Sequence, residues 1–369
     1  MKNLIKICCC FGACFFYSSA LAQQRDFRVI GYYAGRTIPP DSFQVEQLTH
    51  LIWCFGHLKG NRLNIATEKD STIINQMVAL KKRNPKLKVL LSLGGWGGCE
   101  TCSDVFSTQQ GRNEFAQSAR ELSDYFATDG IDLDWEYPVV PGPPGHKYQL
   151  QDRENFTELV RALRKTLKPD AVISFASGGF TAYIDSSIDW KQVMPMVDFV
   201  NVMSYDLVHG YSTISGHHTP LYSTKQQTES TDHAVNRMLA KGVEPNKIVI
   251  GAAFYGRFFE MTEPGETGLY RPCKFKYGFS SKYAKDSLST SNGFEWFWDE
   301  EAQAPYAINQ ARKLLATYDD VRSIKLKTEY AWRRQLGGIM FWQLYDDAFK
   351  GGLLETISNT TLKINEGWK

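Results

Sequence analysis

The chain has 369 residues, of which 43% are hydrophobic and 22% are charged, and its formal net charge is +2 at pH 7. A protein that binds nucleic acid usually carries a basic excess or a basic stripe, and neither is visible here. We therefore expect an uncharged partner and no nucleic acid. The length allows one large domain or two ordinary ones.

The first 22 residues have the pattern of an export signal. Lys2 and Lys6 precede an apolar stretch at 7–17, and small residues follow it up to a cleavage site at 20–22. The apolar stretch is too short to span a bilayer. A lipid-attachment site ending at Cys14 is the weaker alternative, because more apolar residues follow that cysteine. The pattern predicts a secreted or periplasmic protein with no stable membrane span.

Four cysteines lie outside this signal, namely Cys54, Cys99, Cys102 and Cys273. In an oxidising compartment Cys99 and Cys102 could close a small disulfide loop, whereas the alternative is a pair of free thiols. A zinc site would need a second pair of ligands, which the sequence does not obviously offer. His217 and His218 are adjacent in a loop-like stretch, where hydrogen bonding is commoner than metal binding. We expect no metal and no cofactor.

Short runs rich in valine, isoleucine and aromatic residues alternate with longer amphipathic stretches. The runs predict eight strands, at 27–33, 51–55, 88–93, 130–136, 171–176, 199–205, 248–255 and 338–342. The amphipathic stretches predict helices around 73–80, 115–126, 156–167 and 234–239. Strand and helix in alternation indicate a parallel sheet, and eight such units favour a closed (β/α)8 barrel, the TIM-barrel fold, over a doubly wound sheet.

Barrels of this kind typically take about 250 residues, so this chain has a surplus. The surplus lies mainly between the seventh and eighth strands, where the chain is rich in glycine, serine, tyrosine and phenylalanine. This composition predicts a small inserted α+β lobe beside the barrel mouth. The predicted organisation is a signal peptide at 1–22, a barrel formed by 23–260 and 320–369, and the lobe at 261–319.

The strongest chemical pattern is the acidic run at 129–136, which ends the fourth strand. Because side chains on a strand alternate between faces, Asp132, Asp134 and Glu136 share one face and the apolar residues between them share the other. In a barrel the apolar set packs against helices, so the carboxyl groups point inward. Coupled carboxyl groups have separated pKa values, and one of them can stay protonated near neutral pH. A calcium loop or a solvated acidic face would not interleave with large apolar residues.

Other strand ends also carry polar and aromatic residues, and barrel enzymes place their chemistry at the C-terminal ends of the strands. These residues are Ser92, Gly94 and Gly95 on strand three, Met203, Tyr205 and Asp206 on strand six, and Tyr32, Phe55, Trp96, Tyr255, Arg257 and Trp342 around the mouth. A sugar ring offers an apolar face to an aromatic ring and hydroxyl groups to polar side chains at its edge. Aromatic residues with carboxyl groups and no basic cluster therefore favour a neutral glycan.

The chain closely resembles the chitinases of glycoside hydrolase family 18 over essentially its whole mature length. Residues 129–136 fit the D-x-x-D-x-D-x-E signature of that family without a gap, 92–95 fit its S-x-G-G motif, and 203–206 fit its M-x-Y-D motif. The first signature is highly specific, whereas S-x-G-G alone is weak. The resemblance implies a TIM-barrel enzyme that hydrolyses chitin or other β-1,4-linked N-acetylglucosamine polymers without a cofactor.

The resemblance also implies a role for each site residue. Glu136 would protonate the glycosidic oxygen while Asp134 orients the acetamido group of the substrate, which attacks the anomeric carbon in a retaining reaction. Asp132 would support Asp134 from within the barrel, and Tyr205 and Asp206 would hold the acetamide and its developing charge. The other implied contacts with sugar are Tyr32, Phe55, Trp96, Met203, Tyr255, Arg257 and Trp342, the last as the floor, with Asp129, Ser92, Gly94 and Gly95 in support.

Two alternative functions are compatible with the sequence, and one residue departs from the pattern of the family. An endo-β-N-acetylglucosaminidase that acts on N-glycans or peptidoglycan could use the same core motif, although the lobe and the aromatic residues favour linear chitin. A lectin on the same fold would keep the cleft but would typically lack the acid, which is present here as Glu136. Arg36 stands where many relatives carry a tryptophan after strand one, which affects the outer sugar subsites. We expect a monomer that binds N-acetylglucosamine oligosaccharides.

Overall fold

A computed structural model describes residues 26–265 and 268–366 of the chain. The predicted export signal at 1–22 lies outside the described residues and stays a prediction. The strands are β1 (Arg28–Tyr33), β2 (His50–Lys59), β3 (Arg62–Asn64), β4 (Lys88–Gly94), β5 (Gly130–Asp134), β6 (Val172–Gly178), β7 (Phe199–Met203), β8 (Ile248–Ala253), β9 (Tyr255–Met261), β10 (Cys273–Ser280), β11 (Glu295–Asp299), β12 (Ala304–Asn309), β13 (Leu314–Thr317) and β14 (Gly338–Trp342).

The helices carry most of their apolar residues on the side that faces the strands. They are α1 (Glu68–Ala79), α2 (Cys102–Phe106), α3 (Gln109–Phe126), α4 (Asp152–Thr166), α5 (Thr181–Ser186), α6 (Trp190–Val193), α7 (Thr231–Ala240), α8 (Ala284–Ser287), α9 (Val321–Arg333) and α10 (Leu353–Asn365). The four helices predicted from periodicity correspond to α1, α3, α4 and α7. Within residues 26–265 and 268–366, no helix has the length and apolar character needed to cross a bilayer.

Eight strands form a closed parallel barrel, as predicted. In chain order they are β1, β2, β4, β5, β6, β7, β8 and β14, and each of them matches one of the predicted strands. The barrel closes because β1 pairs in parallel with both β14 and β2. The fold is therefore a (β/α)8 TIM barrel, with helices between the strands.

The two faces of β5 confirm the predicted alternation of side chains. Ile131, Leu133 and Trp135 belong to the apolar layer between the barrel and its surrounding helices. The opposite face points into the barrel, whose interior is packed by residues such as Ile30, Ile52, Leu90 and Met340. The acidic residues of the 129–136 run that share this inner face are thus directed toward the barrel mouth.

The predicted α+β lobe lies between β8 and β14. It is a five-stranded antiparallel sheet in the order β10, β9, β13, β12, β11, accompanied by the short helix α8. Its first strand, β9, begins at Tyr255, earlier in the chain than the predicted boundary at 261. Only Phe254 separates β9 from the barrel strand β8, so no turn or polar linker in the sequence marks the change of sheet. The division into domains stays a prediction.

Candidate active site

A cleft of about 1110 Å³ opens at the C-terminal ends of the barrel strands, beside the inserted lobe. Loop residues 140–144, which follow β5, form one wall of it. The predicted catalytic and sugar-contacting residues that line the cleft are Tyr32, Phe55, Trp96, Asp134, Glu136, Met203, Tyr205, Asp206, Tyr255, Arg257 and Trp342. The fold therefore brings residues from six different strand ends and from the lobe into one cavity.

Asp132 lies below the cleft and is completely buried. Its carboxylate accepts hydrogen bonds from the hydroxyl groups of Tyr32 at 3.1 Å, Ser92 at 2.8 Å and Ser174 at 2.6 Å. The side-chain amide of Asn201 adds a fourth, long contact at 3.4 Å. Burial raises the pKa of Asp132, and these donors oppose the rise. The side chain is held in one orientation by neutral donors.

Asp134 and Glu136 stand above it and are also buried, with 4% and 7% of their surface exposed. Burial, the Glu136 carboxyl group and then Asp132 raise the pKa of Asp134 well above its ordinary value. The pKa of Glu136 rises to about 7, chiefly through burial, with the charge of Asp206 adding to the rise. Within the described residues, Oδ1 of Asp134 has no hydrogen-bond partner. Near neutral pH, Glu136 can therefore hold a proton and release it.

The pKa of Asp206 is lowered, in contrast to those of Asp134 and Glu136. Arg257 donates to both of its carboxylate oxygens, with Nε to Oδ1 at 2.5 Å and Nη2 to Oδ2 at 2.6 Å. Nδ1 of His218 lies 3.5 Å from Oδ1. Partial burial opposes ionisation of Asp206, but His218 and Arg257 outweigh it and hold the pKa well below its usual range. Asp206 thus carries a lasting negative charge beside Glu136.

The two glycines after Ser92 are required by close packing. Gly94 and Gly95 have φ angles of +109° and +77°, in a region that residues with a side chain rarely adopt. A side chain on Gly94 would collide with the carbonyl oxygen of Asp134, and one on Gly95 would collide with the ring of Phe55. The Gly95 amide also donates to the Asp134 carbonyl at 2.9 Å. The S-x-G-G motif lets β4 approach the acidic strand.

Aromatic rings form the floor and one rim of the cleft. The rings of Phe55 and Trp342 are stacked, with centroids 5.5 Å apart and an interplanar angle of 12°, and Tyr32 lies 6.0 Å from Trp342. At the rim, Trp96 is 52% exposed and lies 6.3 Å from the exposed ring of Tyr211. These surfaces suit the apolar faces of sugar rings.

Asp129 lies at the other end of β5, away from the cleft. It forms ion pairs with Lys81 at 2.6 Å and Lys88 at 3.3 Å, and it accepts the Val89 amide at 2.7 Å. These contacts fix the start of the acidic strand. Any contribution of Asp129 to the site is therefore made through the fold and not through contact with a ligand.

Arg36 and the cysteines lie outside the lining of the cleft. Arg36 pairs with the buried carboxylate of Asp70 at 3.2 Å. Cys99 and Cys102 form a disulfide in the loop that carries Trp96. In the described part of the chain, Cys54 and Cys273 are free and buried, and no group of three or more His, Cys, Asp or Glu side chains could hold a metal ion.

Several features of the site were not predicted from the sequence: Tyr137, Ser174, Asn201, Tyr211 and Phe275, and the contact of His218 with Asp206. Two of them had a signal in the sequence. Ser174 pairs directly with Asp132 in the sheet register, and Asn201 is two residues before Met203 on the same inward face of β7. Polar residues at inward positions of a barrel strand could have been singled out by alternation alone. Tyr137, Tyr211 and His218 lie on loops, where periodicity gives no information, and Phe275 lies in β10 of the lobe.

Comparison with known proteins agrees with this geometry. The sequence profile of the glycosyl hydrolases family 18 matches residues 28–347. Chitinase A1 of Niallia circulans is 32% identical over 301 residues, which cover 75% of this chain and 43% of that protein. Chitotriosidase-1 of Mus musculus is 30% identical over 322 residues, which cover 82% of this chain and 68% of that protein. The match thus spans less than half the length of the bacterial relative.

A solved structure extends the similarity to the fold. It is that of a glycoside hydrolase family 18 N-acetylglucosaminidase from Paenibacillus barengoltzii, which superposes with a TM-score of 0.83 at 33% identity. The superposition covers 90% of this chain and 99% of that one. Together with the profile match over most of the chain, these similarities establish that the chain belongs to glycosyl hydrolases family 18.

Proposed function

We propose that the protein is a chitinase that hydrolyses β-1,4 links between N-acetylglucosamine units. The observation that carries the proposal is the state of Glu136, a buried carboxyl group with a pKa of about 7 in an aromatic cleft. A general acid works best when its pKa lies near the working pH. The aromatic lining, in which Asp206 is paired with Arg257, suits an uncharged polysaccharide, and the chitinase and chitotriosidase among the relatives support the same substrate class.

The reaction begins when Glu136 gives its proton to the glycosidic oxygen. The bond from this oxygen to the anomeric carbon breaks, and the carbonyl oxygen of the substrate's 2-acetamido group attacks that carbon from the other side. A cyclic oxazolinium ion forms. Water then opens it while Glu136 takes back a proton, and two inversions give net retention. No metal or cofactor takes part in these steps.

Asp134 polarises the acetamido group by accepting its N–H. The free Oδ1 of Asp134 is suited to this role, because a buried carboxylate oxygen without a partner gains most from a new donor. Asp132 supports Asp134 from below, where its own hydrogen bonds fix it within the barrel. Tyr205 and the charged Asp206 stabilise the cation that develops on the acetamide, and Trp342 supports the sugar ring.

A second candidate is an N-acetylglucosaminidase that releases single sugars. The similarity to the Paenibacillus barengoltzii enzyme, which extends over almost the whole of that chain, favours it. The two candidates share the acid and the acetamide mechanism and differ only in which bond of the chain is cut. The third candidate is an endo-β-N-acetylglucosaminidase that acts on N-glycans.

Digestion of the N-acetylglucosamine hexamer separates these candidates. We expect dimers and trimers at the earliest times, measured by mass spectrometry or chromatography. Monomer as the sole early product would indicate the N-acetylglucosaminidase, and release of N-glycans from a glycoprotein with an intact hexamer would indicate the third candidate. If protein whose folding is verified cleaves neither the hexamer nor the glycoprotein, the proposed function is wrong.

We also propose that the protein acts outside the cytoplasm as a monomer. The disulfide between Cys99 and Cys102 supports an oxidising compartment, where such bonds persist. N-terminal sequencing of protein recovered from the periplasm or medium is expected to begin at Gln23. An intact Met1 there would contradict cleavage.

A further inference from the structure

His218 occupies an unusual place beneath the cleft. It lies in the loop that follows β7, its side chain is completely buried, and Nδ1 lies 3.5 Å from Oδ1 of Asp206. Among the described residues, neither ring nitrogen has a hydrogen bond of normal geometry. One face of the imidazole lies against the ring of Tyr255, with centroids 5.2 Å apart. The backbone is fixed as well, since its amide donates to Thr317 Oγ1 at 3.0 Å and its carbonyl accepts the Leu207 amide at 3.0 Å. The ring has little freedom to turn away.

The charged groups around this imidazole are already paired with one another. Arg257, from β9, binds Asp206 through two hydrogen bonds. On the other side Asp319, just before α9, binds the buried ammonium group of Lys327 at 2.7 Å. Burial lowers the pKa of His218, although both carboxylates oppose this effect. A neutral imidazole carries one N–H, and Nδ1 lies 3.5 Å from the Asp206 carboxylate.

The next residue of the same loop, Thr219, binds the backbone that precedes Asp206. Thr219 donates to the carbonyl oxygen of Ser204 at 3.1 Å, and Lys327 donates to Thr219 at 2.6 Å. The backbone of 204–207 is thus held at both ends by 218 and 219. This support matters because Asp206 has a φ angle of +56°, which a residue with a side chain rarely adopts.

We propose that His218 is a positioning residue: it donates Nδ1–H to Asp206 and, together with Arg257, fixes the Asp206 carboxylate beside Glu136 and the acetamide site. The inference rests on the proposed function, because Asp206 matters only if that site performs the acetamide-assisted reaction. His218 touches no substrate itself. Its effect is on the step that the Asp206 charge stabilises, and it should therefore appear in kcat more than in KM.

Three variants test the inference in the hexamer assay. His218→Leu removes both ring nitrogens and keeps an apolar side chain in the buried space, whereas His218→Asn restores one N–H donor. His217→Asn is the matched control, because His217 is the adjacent residue, is equally buried and binds Asp299 at 3.0 Å outside the cleft. Thermal unfolding of all three reports any structural damage separately from catalysis.

We expect His218→Leu to lower kcat about tenfold, the effect of losing one hydrogen bond to a charged group, with KM changed less than about threefold. The acid limb of its pH profile should move to higher pH, because Asp206 loses a donor that favours its ionised form. His218→Asn should recover part of kcat, and His217→Asn should keep the wild-type profile. A His218→Leu variant with wild-type kcat and acid limb, or a His217→Asn variant with the same losses, overturns the inference.

The protonation state of His218 in the wild-type protein tests the inference even if His218→Leu does not fold. In ¹⁵N-labelled protein at about pH 8, the imidazole of His218 should be neutral and protonated at Nδ1. Protonation at Nε2 alone overturns the inference. Wild-type protein that leaves both the hexamer and the glycoprotein intact would instead contradict the proposed function, so the two failures are distinguishable.

Discussion

The two ends of strand β5 carry acidic residues in opposite surroundings. At the N-terminal end, Asp129 is paired with Lys81 and Lys88 and accepts a backbone amide. At the C-terminal end, Asp134 and Glu136 are buried, and neither forms an ion pair with any described Lys, Arg or His side chain. The same residue types therefore serve two different purposes within one strand.

The difference shows what each end contributes to the molecule. An acid that meets cations and donors supports the fold, because its ion pairs and hydrogen bonds join neighbouring segments, as those of Asp129 do. A buried acid without a cation costs stability when it ionises, and a pKa near 7 is the result. Groups of the second kind cluster at functional sites. Changes at the two ends should therefore separate activity from stability.

The largest expected effect is on catalysis. Glu136→Gln removes the proton donor and keeps the shape of the side chain, so hydrolysis of a chitotriose substrate should fall about 10²- to 10⁴-fold. Affinity for the oligosaccharide, measured by calorimetry, should change little. A variant that retained more than about a tenth of wild-type turnover would show that another group is the acid.

The same substitution should stabilise the protein at alkaline pH. The pKa of Glu136 is raised from 4.5 to about 7 in the folded state. The unfolded chain then binds fewer protons between these values, so the folded state loses stability as the pH rises through them, by roughly 3 kcal/mol at pH 8. Urea unfolding should find Glu136→Gln more stable than wild type at pH 8 and about equal at pH 4. Equal stability at both would refute the raised pKa.

At the other end, Asp129→Ala should damage the fold and spare the chemistry. It leaves the Val89 amide without its side-chain acceptor and removes two ion pairs, which should cost about 1–3 kcal/mol of unfolding free energy. The kcat of the folded fraction should stay within about twofold of wild type. If Asp129→Ala lost as much kcat as Glu136→Gln and no stability, the two ends of β5 would not differ in function as described.

The smallest expected effect extends the comparison to aromatic residues. Trp342→Ala should weaken oligosaccharide binding about tenfold with a minor change in stability, because the ring lines the cleft. Trp135 is the matched control, since it is packed among the helices, and Trp135→Ala should mainly destabilise the fold. Equal losses of stability in the two variants would mark Trp342 as part of the core.

Much of the barrel could be predicted from the sequence because its signals are local. Each barrel strand is a short run bounded by amphipathic helices, and the three acids lie two residues apart on one strand. The contacts that tune them are not local: Ser174 and Asn201 reach Asp132 from other strands, and His218 reaches Asp206 from a loop. The sequence does not mark Tyr255 as the start of the lobe sheet, because only Phe254 separates β9 from β8.

The central claim is that the acids at the C-terminal end of β5 direct the substrate's own acetamide to the anomeric carbon. Proton NMR during the first minutes of hexamer cleavage tests this claim most directly, because it identifies the anomer of each new reducing end before mutarotation. The account predicts that the β-anomer appears first and that fully deacetylated oligomers are left intact. Initial appearance of the α-anomer, or cleavage of the deacetylated oligomer at a similar rate, would contradict it.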